Sequence, residues 1–321
     1  MSADLDTTAR SAPAAGTQLQ RLMRMAETQP PLRTAVVHPV DSLSLAGAVA
    51  AAERGMIEPV LVGPPGRIAT AAKEAGLDIS RFRLIEVQHS HEAAERACKL
   101  AASGEVAAIM KGALHTDELL EAVVSAASGL RTDRRMSHVF VLDVPTYPRP
   151  LLVSDAALNI APDLETKRDI VQNAIDCAHA MDIVEPRVAI LSAVETVNPK
   201  MVSTLHAAAL CKMADRGQIV GGRLDGPLAF DNAISPESAK AKGIDSDVAG
   251  RADILIVPDI ESGNMLAKQL FYLSNAQSAG IIMGARIPII LTSRSDPEAS
   301  RLASCALAIL VSQHKPGKYV R

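Results

Sequence analysis

The stretch from Thr34 to Gly63, TAVVHPVDSLSLAGAVAAAERGMIEPVLVG, contains a strand, a helix and a second strand in succession. Residues 34–40 and 59–63 are short apolar runs rich in β-branched side chains, and the alanine-rich residues 44–53 between them are typical of a helix. Continuously apolar strands that are linked by helices are typical of parallel strands buried on both faces. The stretch therefore predicts a right-handed βαβ unit of an open α/β sheet.

The same alternation continues along the chain. The proline-rich segment PTYPRP (residues 145–150) interrupts it, which separates a first series of strands from a second one. The fold class that follows is α/β with mostly parallel sheets. Further strands are predicted at 83–87, 106–112, 138–144, 187–193, 219–226, 253–259, 280–285 and 288–293, with helices near 164–181, 200–216, 264–274 and 297–312.

Length and composition exclude several classes of protein. The chain has 321 residues, which favours about two domains at roughly 150 residues each. Aromatic residues make up only 2% of the chain, too few for a surface on which bases could stack, and the net charge of −3 gives no positive field that would attract a polyanion. Both observations argue against binding of nucleic acid. No apolar run is long enough to span a membrane, and the first residues lack the apolar core of a secretory signal. We therefore expect a cytoplasmic protein without nucleic-acid or membrane partners.

Neither the cysteines nor the histidines have metal-ligand spacing. Cys98, Cys177, Cys211 and Cys305 lie far apart in apolar or helical contexts, so buried, inert thiols are expected. Neither GxxxxGK[ST] nor GxGxxG occurs, which argues against a Walker-type nucleotide loop and weakens a standard NAD-binding interpretation.

Polar residues follow several of the predicted strands. Ligands of open parallel sheets bind outside the carboxyl ends of the strands, so these residues could line one shared cleft. A glycine after a strand is, by itself, more often simple turn geometry. His115 and His138 stand where elements end or begin near this cleft. The candidate substrate-binding residues, completed by the resemblance described below, are Lys111, His115, Thr116, Arg131, Ser137, His138, Asp225, Gly226, Gly263, Asn264 and Ser300.

The segment from Thr292 to Ser300 carries the clearest chemical signal. Asp296 followed by Pro297 predicts a helix N-cap with proline at the first helical position. The exposed N–H groups and positive end of such a helix attract an anion. Arg294 adds a donor fork that suits phosphate or carboxylate, and Ser293 adds a hydroxyl donor. A plain capping turn with a surface arginine is the alternative.

Several separated motifs resemble the phosphate acetyltransferase/phosphate butyryltransferase family, in the order in which that family has them. They are DAALNIAPDLETKRDIVQNAI (155–175), HAAALCKMADRGQI (206–219), DGPLAFDNAIS (225–235), ADILIVPDIESGN (252–264) and IPIILTSRSD (287–296). The resemblance extends from about Arg33 to the last helix. It implies an enzyme that interconverts acyl-CoA plus phosphate and acyl phosphate plus CoA.

The resemblance also implies a two-domain α/β/α architecture like that of isocitrate and isopropylmalate dehydrogenases. The first domain would span residues 1–144 and be completed by 286–321, and the second would span 145–285. The active-site cleft would lie between them. No cofactor or metal is implied, since CoA is a substrate, and a homodimer is expected.

In the mechanism that the resemblance implies, a base removes the thiol proton of CoA, and the thiolate attacks the acyl carbonyl within a ternary complex. Ser293 matches the serine that stabilises the oxyanion, and Arg294 matches the arginine that binds phosphate. Many relatives have an aspartate seven positions after that serine, where this chain has Ser300. Glu298 is then the expected base; Asp296, or no dedicated base, is the alternative.

A second departure lies in the helix after Thr116, where Glu121 occurs in a stretch that commonly holds an arginine. Arg131 or Arg135 could supply the missing positive charge. Acetyl-CoA is the expected substrate, with butyryl-CoA as the alternative. An NAD-dependent dehydrogenase on the related scaffold and a non-catalytic acyl-CoA-binding protein are the further alternatives.

Overall fold

The structure, a computed structural model, describes residues 17–292 and 296–314. Strands and helices alternate along the described chain, as the sequence predicts. The strands are β1 (Leu32–Val37), β2 (Ile57–Gly63), β3 (Arg83–Glu86), β4 (Ala108–Lys111), β5 (Ser137–Asp143), β6 (Leu151–Ser154), β7 (Arg187–Leu191), β8 (Arg223–Leu228), β9 (Ile254–Ile256), β10 (Gln277–Met283) and β11 (Ile289–Ile290). The helices are α1 (Thr17–Glu27), α2 (Ser42–Glu53), α3 (Pro65–Ala75), α4 (Ser90–Ala102), α5 (Thr116–Val124), α6 (Leu164–Ala180), α7 (Val202–Asp215), α8 (Phe230–Ile234), α9 (Pro236–Ala241), α10 (Ile260–Leu273) and α11 (Glu298–Gln313).

These strands form one sheet in the order β3-β2-β1-β4-β11-β10-β5-β6-β9-β7-β8. Neighbouring strands are parallel except in three pairs at the centre, where β11 with β10, β10 with β5, and β5 with β6 are antiparallel. The mostly parallel α/β sheet that the sequence predicts is confirmed.

Short connections explain the antiparallel centre. Residues 144–150 join β5 to β6, and residues 284–288 join β10 to β11. A parallel crossover needs a dozen or more residues, so each of these connections can only reverse the chain. The βαβ units of the two ends of the sheet are joined through three successive antiparallel pairs, so the strands of one end run opposite to those of the other.

The two faces of the sheet are covered differently. On the face that we call the back, one apolar cluster runs along the whole sheet and includes Val36, Val139 and Ile254. On the front face, one cluster packs α4 and α5 onto β1, β2 and β4, and a separate cluster packs α10 onto β6, β7 and β9. The front face is therefore open over the central strands.

Helix α10 begins one turn earlier than the predicted start at residue 264, because Asp259 caps it. The Asp259 carboxylate accepts a hydrogen bond from the Ser262 backbone N–H at 2.8 Å, and the Ser262 side chain reaches back to the Asp259 N–H. This is a capping box, which satisfies N–H groups that would otherwise lack partners at a helix start. Gly263 and Asn264 therefore lie inside the first turns of α10.

Asp225 and Gly226, which the sequence places at the end of the predicted strand 219–226, lie in the middle of β8. The strand starts later than predicted and continues to Leu228, with Asp225 paired to Ala189 of β7. A Cβ atom on Gly226 would lie 2.8 Å from Cβ of Ile190, so glycine allows the two strands to pack closely.

The predicted cap of α11 is also shifted by one residue. Pro297, not Asp296, is the N-cap, and its extended backbone (φ −66°, ψ 161°) places the first helical residue at Glu298. The Pro297 carbonyl accepts hydrogen bonds from the N–H groups of Ser300 (3.1 Å) and Arg301 (3.3 Å), which starts the helical hydrogen bonding there.

The expected domain boundaries do not coincide with a break in the sheet. Strand β10 belongs to the expected second domain but lies between β11 and β5, which belong to the first. The division into 1–144 with 286–321 and 145–285 stays a prediction. Among the helices described here, none combines the length and apolar character needed to cross a membrane.

Candidate active site

A cleft of about 780 Å³ opens on the front face, between the two front clusters. Strands β5 and β10 form its floor, and their side chains alternate between the two faces of the sheet. Val139 and Val141 point into the back cluster, whereas His138 and Phe140 line the cleft. The cleft exists because the front helices cover the two ends of the sheet and leave its centre open.

Three walls surround this floor: the end of β4 with the start of α5, the helix α10, and the segment that leads from β11 into α11. The sequence singles out residues on each of these walls and on the floor. The predicted site residues that the structure brings together here are Lys111, His115, Thr116, His138, Asn264 and Ser300.

The first wall carries a buried cation. The Lys111 side chain lines the cleft although the residue is only 5% exposed, and its ammonium donates to the Gly112 carbonyl at 3.4 Å. Helix α5 starts next to it at Thr116, and the His115 side chain does not cap that start. An ammonium beside helical N–H groups favours the binding of an anion.

The segment before α11 forms a neighbouring wall, because it continues from β11, which pairs in parallel with β4. Thr292 and Asp296 line the cleft, and so does Ser300, whose Oγ lies 3.5 Å from Oγ of Ser278. The predicted catalytic residues Ser293 and Arg294 lie between Thr292 and Asp296, outside the described residues. Their roles stay predictions from the family resemblance.

The carboxylate that lines the cleft is not the expected one. Asp296 is half-buried on the cleft wall. The expected base, Glu298, is exposed in the first turn of α11 and is absent from the cleft lining. Because α11 starts one residue later than predicted, the positions that face the cleft are Ala299 and Ser300 rather than Glu298.

His138 is held on the floor as a neutral imidazole. The residue is 1% exposed, and burial lowers the pKa of its side chain to about 3. Its Nδ1 atom has no hydrogen-bond partner among the described residues. The ring lies over Gly280, where a Cβ atom would be 3.0 Å from Nε2 of His138 and 2.8 Å from the Leu291 carbonyl oxygen. Glycine at position 280 therefore makes room for the ring.

Two phenylalanines form an apolar side of the cleft. The Phe140 ring stands edge-on to His138, with 4.3 Å between ring centroids, and edge-on to Phe271 of α10 at 5.4 Å. Edge-to-face contacts of this kind stabilise aromatic pairs beyond simple burial. The row connects the sheet floor to the α10 wall and offers an apolar surface to a ligand.

The loop after β6 is fixed by one carboxylate. Asp155 accepts hydrogen bonds from the backbone N–H groups of His138, Ala157, Leu158 and Asn159 and from the Asn159 amide. Burial raises the pKa of Asp155, and these hydrogen bonds oppose that rise. Asn264 of α10 donates to the carbonyl of Ala156 at 3.2 Å. The loop therefore joins the floor of the cleft to its α10 wall.

Other predicted residues lie away from the cleft. Ser137 is fully buried and accepts a hydrogen bond from the Asn173 amide at 2.9 Å. Gly263 packs beneath the loop after β6, where a Cβ atom would be 2.9 Å from the Asp155 carbonyl oxygen. The predicted residues that do not line the cleft are Arg131, Ser137, Asp225, Gly226, Gly263 and Glu298.

The arginine cluster at 131–135 lines a different pocket. Arg131 and Arg135 contribute to a hollow of about 500 Å³ outside the cleft. Nearby, Arg168 pairs with Asp169 at 2.9 Å. The geometry therefore does not place Arg131 or Arg135 where either would replace the arginine that the family commonly has near α5.

Several residues that line the cleft are not predicted from the sequence. Successive side chains of a strand point to opposite faces of the sheet. A strand at HVFVLDV therefore already places Phe140 on the same face as His138, two residues before it. No local pattern indicated that α10 or β10 would lie beside it. The missed lining residues include Phe140, Lys268, Phe271, Gln277 and Ser278.

The cysteines fit the expectation of inert thiols. Cys98, Cys177 and Cys305 are buried and Cys211 is half-buried, and none of these is paired. Burial raises the pKa of Cys98 to about 11 and the pKa values of the other three to about 12, which disfavours the reactive thiolate. Across residues 17–292 and 296–314, no group of three or more His, Cys, Asp or Glu side chains could hold a metal ion.

Comparison with known proteins identifies the chain's relatives. A family model described as phosphate acetyl/butaryl transferase matches residues 91–309. Phosphate acetyltransferase from Rhizobium meliloti is 56% identical over 303 residues, which are 94% of this chain and 96% of the relative. Phosphate butyryltransferase from Clostridium acetobutylicum is 42% identical over 265 residues, which are 83% of this chain and 88% of the relative.

Solved structures support the same assignment. The branched-chain phosphotransacylase from Enterococcus faecalis V583 superposes with a TM-score of 0.77 at 28% identity, over 88% of this chain and all of that one. The 4-hydroxythreonine-4-phosphate dehydrogenase from Klebsiella pneumoniae has a TM-score of 0.53 at 15% identity, over 88% of this chain and all of that one. This second likeness concerns the fold alone, and it confirms the expected dehydrogenase-like architecture. The chain belongs to the phosphate acetyl/butaryl transferase family and is a phosphate acyltransferase, which interconverts acyl-CoA plus phosphate and acyl phosphate plus CoA.

Proposed function

We propose that the chain transfers an acetyl group directly between CoA and phosphate in the front-face cleft, within a ternary complex. One observation carries this proposal: the same cleft combines a buried cation, Lys111, with an apolar side formed by Phe140 and Phe271. A phosphate group needs the first feature and an acyl chain needs the second. The identity of 56% to a phosphate acetyltransferase, against 42% to a phosphate butyryltransferase, favours the acetyl group.

The chemistry balances without a cofactor. The CoA thiol loses its proton, its sulfur forms a bond to the acyl carbon, and the carbon–oxygen bond to phosphate breaks as phosphate leaves. A thiol with an ordinary pKa of about 8.5 is mostly protonated at neutral pH, so a proton acceptor accelerates the first step. Lys111 would neutralise charge on the phosphate, and Ser293 and Arg294 keep the oxyanion and phosphate roles that the family resemblance assigns to them.

We propose Asp296, in place of Glu298, as the acceptor of the thiol proton. Asp296 is the carboxylate that lines the cleft in the part of the chain that the structure describes. Glu298 is exposed and outside the lining. His138 is a poorer acceptor, because a proton on its imidazole would place a positive charge in a site that is 1% exposed, whereas a proton on the half-buried Asp296 carboxylate removes a charge.

The Asp296→Asn and Glu298→Gln variants separate the two carboxylates. Release of free CoA from acetyl-CoA and phosphate would be followed with a thiol reagent between pH 6 and 9. Loss of a general base typically slows turnover by roughly 10²–10⁴-fold, so Asp296→Asn should be slow at neutral pH and recover partly at high pH. Glu298→Gln should keep the wild-type rate. The reverse pattern would restore Glu298 as the base.

Acyl-chain preference is tested by comparing acetyl-, propionyl- and butyryl-CoA at saturating phosphate. The highest kcat/KM is expected for acetyl-CoA. If butyryl-CoA has the highest value, the enzyme belongs to the butyryl branch. If none of the three is consumed by the purified protein, the proposed reaction is wrong.

We further propose a cytoplasmic homodimer of two-domain subunits, divided into 1–144 with 286–321 and 145–285. CoA thioesters are cytoplasmic metabolites, which supports that location. Met265 and Leu273 on α10 are 65% and 80% exposed and do not line the cleft, and large apolar side chains on one helix favour contact with a second copy. Sedimentation analysis of the wild type and of Leu273→Glu tests the dimer; a wild-type monomer at micromolar concentration would contradict it.

A further inference from the structure

Arg301 is a buried cation at the edge of the cleft that no step of the proposed reaction uses. It lies in the first turn of α11 and is 4% exposed. A buried charge is costly unless hydrogen bonds compensate it, so the contacts of its guanidinium show what holds it there.

Within residues 17–292 and 296–314, the guanidinium contacts two separate points of the chain. Its Nη1 donates to the hydroxyl of Thr292 at 3.2 Å, and its Nε donates to the backbone carbonyl of Asp296 at 3.3 Å. Both acceptors belong to the cleft wall. Thr292 and Asp296 are the residues that flank positions 293–295 on either side.

The guanidinium has the geometry needed for this bridge. It is a planar fork whose donors point in fixed, different directions, whereas the lysine ammonium is a point charge on a flexible stem. One rigid group can therefore hold two acceptors at a set separation. A lysine at position 301 would keep the charge but could not reproduce that separation.

The stem of Arg301 is positioned from its other side by α2. A Cβ atom on Gly47 would lie 2.7 Å from Cδ of Arg301, and real Cβ atoms do not approach that closely. The absence of a side chain at Gly47 therefore makes the space through which the arginine reaches Thr292. A methyl group there would displace the stem without removing the guanidinium.

We infer that Arg301 is a positioning residue, which sets the separation of Thr292 and Asp296 on the cleft wall next to Lys111. The inference rests on the proposed function, because Ser293, Arg294 and Asp296 carry the reaction there. Since a shift of about 1 Å in a catalytic group can cost roughly 100-fold in rate, a loosened bridge should slow turnover strongly.

Arg301→Lys and Gly47→Ala test the inference, and Arg286→Lys is the matched control. Arg286 is an exposed arginine whose Nη1 donates to the Gly129 carbonyl at 3.0 Å, away from the cleft. For each variant, kcat and the separate KM values for phosphate and acetyl-CoA would be measured, together with thermal unfolding. A merely structural role would lower the melting temperature or the active fraction and leave both KM values unchanged.

Arg301→Lys should lower kcat by roughly 10- to 100-fold and raise the KM for phosphate, with the KM for acetyl-CoA within twofold of wild type. Gly47→Ala should shift the same two parameters in the same direction by a smaller factor. Wild-type parameters in Arg301→Lys, or a loss of kcat with both KM values unchanged, would overturn the inference.

Phosphate binding provides a readout that does not depend on turnover. Inorganic phosphate should raise the melting temperature of the wild type and of Arg286→Lys, and raise it less in Arg301→Lys. An equal rise in all three proteins would contradict the inference even if the wild type transferred no acetyl group. An inactive wild type whose phosphate response is still reduced by Arg301→Lys would instead remove only the proposed function.

Discussion

Replacing Phe140 by alanine should shift the acyl preference from acetyl-CoA towards butyryl-CoA. The ring stands on the floor of the cleft, where it contacts His138 at 4.3 Å and Phe271 at 5.4 Å between centroids. Its removal opens apolar space beside the position proposed for the acyl group. Acetyl-CoA gains nothing from that space, because its methyl group is too short to fill it.

The size of the shift follows from the two extra methylenes of butyryl. Each buried methylene contributes ~0.8 kcal/mol, so burial of both favours butyryl-CoA by ~1.6 kcal/mol, which is roughly a 15-fold change in the ratio of kcat/KM values. The substitution also weakens the fold. Truncation of a fully buried phenylalanine to alanine lowers the free energy of unfolding by about 3–5 kcal/mol. Because Phe140 is half-buried, we expect a decrease of about 2 kcal/mol.

The assay compares initial rates of CoA release from acetyl- and butyryl-CoA in the wild type, Phe140→Ala and Phe230→Ala. Phe230 begins α8, is 36% exposed and is absent from the cleft lining, so it controls for the general loss of a ring. An unchanged acetyl-to-butyryl ratio in Phe140→Ala would refute the reasoning. An equal rise in KM for both thioesters would place the CoA arm, rather than the acyl chain, beside this ring.

Three other substitutions test the site and the fold. Lys111→Met should raise the KM for phosphate by roughly 10-fold or more, because a hydrogen bond to a charged group contributes about 1.5–3 kcal/mol; an unchanged KM in initial-rate measurements would exclude Lys111 from phosphate binding. The pKa of His138 is about 3 when folded and about 6.5 when unfolded, so the unfolded chain binds more protons between these values and wild-type stability falls as pH falls. Between pH 6.5 and pH 5, the free energy of unfolding measured with urea should therefore fall by about 2 kcal/mol less in His138→Gln than in the wild type. Equal decreases in the two proteins would contradict the neutral imidazole. Gly263→Ala places Cβ 2.7 Å from Val257 and should destabilise by about 1–3 kcal/mol in the same assay, whereas Gly66→Ala, with no atom within 4 Å, should not destabilise.

The apolar pattern of the sequence predicts the parallel ends of the sheet, but it does not predict the antiparallel pairs at its centre. Apolar runs such as HVFVLDV look alike in parallel and antiparallel strands when both faces are buried. The direction of β5 and β10 depends instead on the short connections 144–150 and 284–288. Connection length was therefore the signal that would have identified the reversed strands.

Residues at strand ends were the predictable part of the cleft. Lys111 is the last residue of β4 and His115 lies four residues beyond it, and the carboxyl ends of neighbouring parallel strands meet at one edge of a sheet. Phe271 and Ser278 reach the same cleft only because α10 and β10 fold back onto the centre, and that contact has no local sequence signal. The sequence favours Glu298 as the base because it falls in the first predicted turn of α11, where the positive helix end stabilises a carboxylate. Which side chain of that turn faces the cleft depends on packing that the sequence does not show, and the structure exposes Glu298 and places Asp296 on the cleft wall.

Both sides of the cleft pack against the same apolar layer, the back cluster. It runs behind β5 and β10 without interruption, through Val139, Val141, Ala279 and Ile281. Because both sides are anchored to the same packed layer, we expect any widening of the mouth to require twisting of these central strands. Val141→Ala changes this layer without touching the cleft. We expect it to change the rate at which substrate enters, because it changes the stiffness of the sheet.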